Sequence, residues 1–440
     1  MNASGGQNLA VDLNEAIRSL AQFILHLSFD DQLGSGVFKD STVLISRGDH
    51  TIILAGDDAD RYGEILSSIY QAISERERPL SKRAVSNLVA DFFIRALKSG
   101  DHLHNPDLAE QLDEEERKLK AALFEKPKIW EVQLLVEGLA PSGLPLTVGQ
   151  VSFGHLDKAS LSNLKKRVVE LINNSGALNR EAVVADLSTR LDVLQEKTVA
   201  VVSVNAVDNE AAILSARRKV QITIDAINFF SPRERLGGWA FLPGDTMPQS
   251  ELVLAFCEDG RLTPSFRRAG PIRKIPLDQI ATRKGFARVS DMLAKEVPTG
   301  LEEKILAALQ WAGRAQVEAR PEEAFLLYAI ALESLLLRKD LKAEISHRLA
   351  VRCAHLGGGP TLEDKKRVVQ QILSLYQIRS NIVHSGTFLV SEAELELIRE
   401  YSVSTLLIVI NAEPFRDMTE VKEFEGWFET QLLSGGISPT

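Results

Sequence analysis

The sequence predicts an α+β protein, with mixed α/β regions on the N-terminal side and an all-α helical bundle on the C-terminal side. Three observations predict this. Short β-branched runs that read as strands, such as residues 42–45 and 198–204, lie before residue 300. Apolar residues at helical spacing recur along the whole chain. Residues 300–434 read as helix after helix. Three regions follow: 1–127, a mixed helical region with a β-hairpin; 128–299, an α+β domain with a basic strip; and 300–440, the bundle.

In the first region, Leu13, Ile17, Leu20, Phe23, Ile24 and Leu27 place one apolar stripe on a helix over 11–27. Residues 41–55 read as a hairpin, with β-prone segments 42–45 and 51–54 around the turn residues Arg47, Gly48 and Asp49. Helices are expected at 59–75, 81–98 and 107–124, the last with a charged run at 113–118 that keeps it solvated. The second region alternates like a strand over 130–137, turns at Pro141, Gly143 and Pro145, and continues as a strand over 147–153. An amphipathic helix at 161–172, a buried-type strand at 198–204, a helix without Gly or Pro at 209–230 and a strand at 252–257 complete it. The third region offers helices at 301–317, 322–338, 342–355, 362–384, 391–411 and 419–432. Gly357-Gly358-Gly359-Pro360 breaks the chain between two of them, and Ser391 with Glu394 forms a capping box.

Composition narrows the function. The 440 residues are 45 % hydrophobic and 25 % charged, ordinary for a globular protein. The two cysteines, Cys257 and Cys353, are far apart and lack metal-ligand spacing, which argues against a disulfide scaffold or zinc site and fits a cytoplasmic location. Residues 1–10 have neither signal-peptide nor transit-peptide character, and no apolar stretch reaches membrane length, so no membrane partner is expected. A net charge of −9 argues against extensive non-specific binding to duplex DNA. No phosphate loop or nucleophile elbow is present, and no cofactor or metal is expected.

The chemistry-bearing segment is Arg379-Ser380-Asn381-Ile382-Val383-His384, followed at once by Ser385-Gly386. Arginine is permanently cationic and fork-shaped, suited to a phosphate. Histidine titrates near neutrality, suited to moving a proton from a ribose hydroxyl. Five residues apart on a helix, the two lie about 140° apart around the axis, so they converge only across a wide groove or at a helix end. Glu333 interrupts the apolar run 328–337 and calls for a cation; Arg348, Arg352 and Arg379 are the candidates. Such a pair either holds two helices in register or orients Arg379 toward a phosphate.

Residues 261–288 carry Arg261, Arg267, Arg268, Arg273, Lys274, Arg283, Lys284 and Arg288 against the single acid Asp278, with Phe266 and Phe286 interleaved. Either this strip guides RNA, with Arg267, Arg268, Arg273 and Lys274 on the phosphates, or its arginines pair with acidic helices such as the one at 113–116.

Three segments, AFLLYAIALESLL (324–336), HRLAVRCA (347–354) and LYQIRSNIVHSG (375–386), match in order and spacing those of the HEPN superfamily. The stretch from about Trp311 to Gly386, roughly the last third of the chain, most closely resembles ApeA-like HEPN domains. The resemblance implies a HEPN-type bundle that dimerises and forms a composite, metal-independent ribonuclease site in a toxin or antiviral defence effector. The family's Arg-x(4–6)-His motif falls on Arg379 and His384, and its acidic helix residue on Glu333. Active members often carry Asn directly after the arginine; here Ser380 stands there and Asn381 follows, and these two with Arg352 are the supporting residues. The expected partners are an RNA substrate, a second copy bound through the bundle and a sensor or partner protein. Apolar richness of the helices at 322–338 and 391–411, especially at 406–410, is the sequence feature behind the homodimer. The other expectation is a non-catalytic HEPN scaffold that binds nucleotides or a partner through the same residues.

Overall fold

The computed structural model describes residues 13–29, 42–47, 50–74, 80–99, 108–140, 142, 144–174, 179–192, 194–231, 238–243, 251–256, 262–267, 274–337, 345–385 and 389–433. Its architecture is α+β: helices dominate, with a small four-stranded antiparallel sheet. The chain divides into two compact units, Met1–Val132 with Ser203–Ala216, and Gln133–Val202 with Arg217–Thr440.

The first unit contains α1 (Leu13–Phe29), the hairpin β1 (Thr42–Arg47) and β2 (His50–Ala55), and helices α2 (Asp57–Ser74), α3 (Lys82–Ser99) and α4 (Leu108–Leu123). The α1 stripe is the wall of its core: Leu13, Ile17, Leu20, Phe23 and Ile24 are buried against Tyr62, Ile69 and Phe93. The α4 carboxylates are matched locally. Glu114 pairs with Arg117, Glu115 with Lys118 and with Arg95 of α3, and Glu116 with Lys120. Among the described residues these ion pairs lie inside the first unit.

The sheet has the order β3-β6-β5-β4, from β3 (Lys128–Val136), β4 (Leu146–Val148), β5 (Val151–Leu156) and β6 (Lys197–Ala206). β6 lies between β3 and β5, with Val199, Ala200, Val202 and Val204 buried. Residues 147–153, expected as one strand, are a tight hairpin in which Val148 pairs with Val151. The reason is Gly149, whose φ of +61° turns the chain where a Cβ would lie 2.4 Å from Leu293 Cβ. Helices α5 (Lys158–Asn174) and α6 (Arg180–Asp192) separate β5 from β6. The described residues of α6 are half-buried to exposed, which is why no apolar stripe announced it. The long helix α7 (Asn209–Phe230) follows, then the antiparallel pair β7 (Glu251–Phe256) and β8 (Leu262–Arg267), and helices α8 (Leu277–Ala281) and α9 (Phe286–Ala294).

The bundle consists of α10 (Gly300–Val317), α11 (Pro321–Leu336), α12 (Ile345–Gly357), α13 (Leu362–Ser385), α14 (Glu392–Asn411) and α15 (Val421–Leu433). Capping boxes at Thr299/Glu302 and Ser391/Glu394 start α10 and α14. Within the second unit, polar contacts tie the end of α7 and α9 to the bundle. Asp225, 1 % exposed, accepts from Gln221 Nε2 at 2.8 Å and faces Arg314 Nε of α10 at 3.3 Å. Gly313 of α10 approaches α7 so closely that a Cβ would meet the Asp225 carbonyl at 1.9 Å. Arg288 of α9 donates to the carbonyls of Ile410 and Arg416, capping the C-terminal end of α14.

Leu406, Val409 and Ile410 are buried within the bundle, leaving only Leu407 and Ile408 of that segment partly accessible. The apolar richness at 406–410 thus serves mainly the protomer's own core. Among the described residues no helix is long and apolar enough to cross a membrane.

Candidate functional site

Helix α13 carries the Arg379–His384 segment. Ile372, Leu375, Tyr376, Ile378 and Ile382 are buried and define its inner stripe. Arg379 follows Tyr376 by three and Leu375 by four, so it stands within that stripe and turns toward α11. There its Nε lies 3.3 Å from Glu333 Oε1, with side-chain exposures of 32 % and 24 %. Arg379 Nε is buried and its N–H lacks hydrogen-bond alignment, so the contact is a close charge pair. The terminal nitrogens make no hydrogen bond among the described residues. They are the donors left for an anion.

Tyr376 lies beneath this pair. Its hydroxyl donates to the Ala329 carbonyl at 3.3 Å, and burial, followed by the Glu333 charge, pushes its phenol well above the ordinary 10. The tyrosine therefore stays neutral and gives the Glu333–Arg379 pair a packed base.

His384 lies in the last turn of α13, exposed to solvent. Its neighbour Val383 is 51 % exposed, so the helix has run past the packed core by this point. α13 stays helical through Ser385, which keeps the angular separation of Arg379 and His384 at about 140°. Within one chain, Arg379 faces α11 and His384 faces outward.

The remaining expected residues are distributed as follows. Asn381 Oδ1 accepts from Gln377 Nε2 at 3.0 Å, and Ser380 is half-buried. Arg352 does not join Glu333. It is buried, forms a bidentate ion pair with Glu425 of α15, donates to the Leu336 carbonyl and stacks its guanidinium 4.8 Å above the Phe428 ring. Its surroundings make it a packing residue between α12 and α15, and Glu425, 73 positions away, left no local signal of the pairing. Lys304, also unforeseen, donates to the carbonyls of Ser334 and Leu337 at the end of α11, at 3.0 and 2.6 Å, and so anchors the helix that carries Glu333.

Of the basic strip, Arg268 and Arg273 lie outside the described residues, as does the side chain of Arg267. Lys274 is exposed beside Ile275, which bridges to Leu139. Arg288 leaves the strip for the end of α14. Arg283 and Lys284 are exposed in the turn before α9.

No protein-family model matches the chain, and neither a curated protein nor a solved structure matches it.

Proposed function

We propose that this protein is a metal-independent RNA endonuclease of HEPN type, acting as a toxin or antiviral defence effector. The observation that carries this reading is the Glu333–Arg379 charge pair, in which the guanidinium's terminal nitrogens make no hydrogen bond among the described residues, and an exposed histidine one helical turn and a half further on. His384 takes the proton of a ribose 2′-hydroxyl, whose oxygen attacks the adjacent phosphorus as the 5′-oxygen departs, and the imidazolium so formed returns the proton to that departing oxygen directly or through water. Arg379 holds the charge that gathers on the non-bridging oxygens, and Glu333 fixes the direction of the guanidinium. The products are a 2′,3′-cyclic phosphate and a 5′-hydroxyl. Because Arg379 and His384 diverge within one chain, the productive arrangement is a composite of two protomers.

That same divergence favours one other reading, in which the bundle binds a nucleotide or partner without cutting. The experiment that separates them incubates total RNA with wild type and His384→Ala in EDTA. Cleavage by wild type alone supports the nuclease. Equal cleavage by a folded His384→Ala removes this site from the chemistry, and no cleavage by either leaves the binding function.

A further inference from the structure

A cleft of about 460 Å³ opens in the second unit where the end of α7, the turn between α8 and α9, and the last turns of α14 meet. Phe229, Phe230, Val403, Leu407 and Ile408 make its walls apolar. Its volume lies in the range that holds a small organic ligand.

The mouth has the opposite character. Arg283 and Lys284 line it, both exposed and without an ion pair among the described residues. Their position is built into the backbone. Phe286 N donates to the Arg283 carbonyl at 3.0 Å, and Gly285, at φ +90°, seats the turn on α14 where a Cβ would lie 2.8 Å from Asn411 Nδ2. The partial negative charge expected at the end of α14 is offset by Arg288, which occupies the Ile410 carbonyl. The cleft therefore combines an apolar interior with a net positive rim held on ordered chain.

We propose that this cleft binds an amphipathic organic anion, a fatty-acid-like molecule whose aliphatic body lies along Leu407 and Ile408 and whose carboxylate or phosphate-ester head meets Arg283 and Lys284. Oily walls alone would take any apolar body; the two exposed cations select one with an anionic end. The site uses none of Arg379, His384 or Glu333, so it stands apart from the nuclease reading.

Calorimetric titration of the full chain with decanoate, decyl phosphate and decanol tests it. At least one of the two anions should bind at one site per chain, at least about tenfold tighter than the alcohol. Which of them binds tells whether the natural head is a carboxylate or a phosphate ester. The Arg283→Glu/Lys284→Glu double variant, both positions being on the surface, should lose that margin without a change in thermal unfolding. Val403→Trp, which fills the interior, should block anion binding. Equal affinity for decanol, binding untouched by both variants, or competition by inorganic phosphate as strong as that of decyl phosphate would overturn the proposal. A change of oligomeric state in Val403→Trp without added ligand would overturn it too, by showing that a second copy covers the cleft.

Discussion

Arg379 and Lys carry the same charge, yet only the arginine can face Glu333 with one edge and present two further nitrogens to a phosphate. Arg379→Lys should therefore lower RNA cleavage by about 10²-fold or more, the scale of one lost oxyanion donor, with the thermal midpoint unchanged. Cleavage rates read on a labelled RNA would check this, and near-wild-type activity in the lysine variant would remove the fork from the mechanism. His355 of α12 shows residue-scale electrostatics of another kind. Its buried Nδ1 has no hydrogen-bond partner among the described residues, and burial together with the charge of Lys365 holds its pKa below the ordinary 6.5. Protonation therefore favours the unfolded chain. Stability is complete above the unfolded value and declines as pH falls from there through the depressed folded value. His355→Gln should show a smaller fall in thermal midpoint than wild type between about pH 7 and about pH 5; equal falls would contradict the assignment.

Among the elements, α12 and α15 are joined by the Arg352–Glu425 pair. Breaking such a pair leaves a charge buried without its counter-ion. Arg352→Met should cost about 3–5 kcal/mol, and Arg352→Met with Glu425→Leu should recover most of it, since well-packed apolar residues replace buried pairs at little cost. Denaturant unfolding of the two variants measures both values; a single variant within 1 kcal/mol of wild type, a margin typical of exposed pairs, would show the pair to be solvated. Elements with strong periodicity were the legible part of the sequence. The helix at 209–230 and the capped start of α14 lie where the run free of Gly and Pro and the capping box put them. The rest depended on information that local pattern does not carry. The turn at Gly149 splits a β-prone run in two, and α6 lacks an apolar stripe. The short strand β8 contains Pro264, which ordinarily marks a strand as unlikely away from an edge.

On the scale of the whole molecule, chemistry-bearing residues were easier to find than their partners. Arg379, Glu333 and His384 stood out by residue type within apolar helices, and the structure brings the first two together across α11 and α13. The role of Arg352 could not be read, because its partner belongs to the last helix. The burial of Leu406, Val409 and Ile410 weakens the apolar argument for a dimer and shifts the case onto the proposed catalytic geometry, in which Arg379 and His384 diverge within one chain. Multi-angle light scattering at micromolar concentration should give twice the mass of 48.5 kDa. A strict monomer that still cleaves RNA would contradict the composite site.

The most direct measurement is the end chemistry of the cleavage products. An RNA oligonucleotide and its fully 2′-O-methylated counterpart are incubated with the wild-type protein in EDTA, and the fragments are resolved by mass spectrometry. The expected result is cleavage of the unmodified RNA alone, into fragments ending in 2′,3′-cyclic phosphate and beginning with 5′-hydroxyl. Cleavage of the methylated strand, or fragments with 3′-hydroxyl and 5′-phosphate ends, would contradict attack by the ribose hydroxyl and with it the roles given to His384 and Arg379.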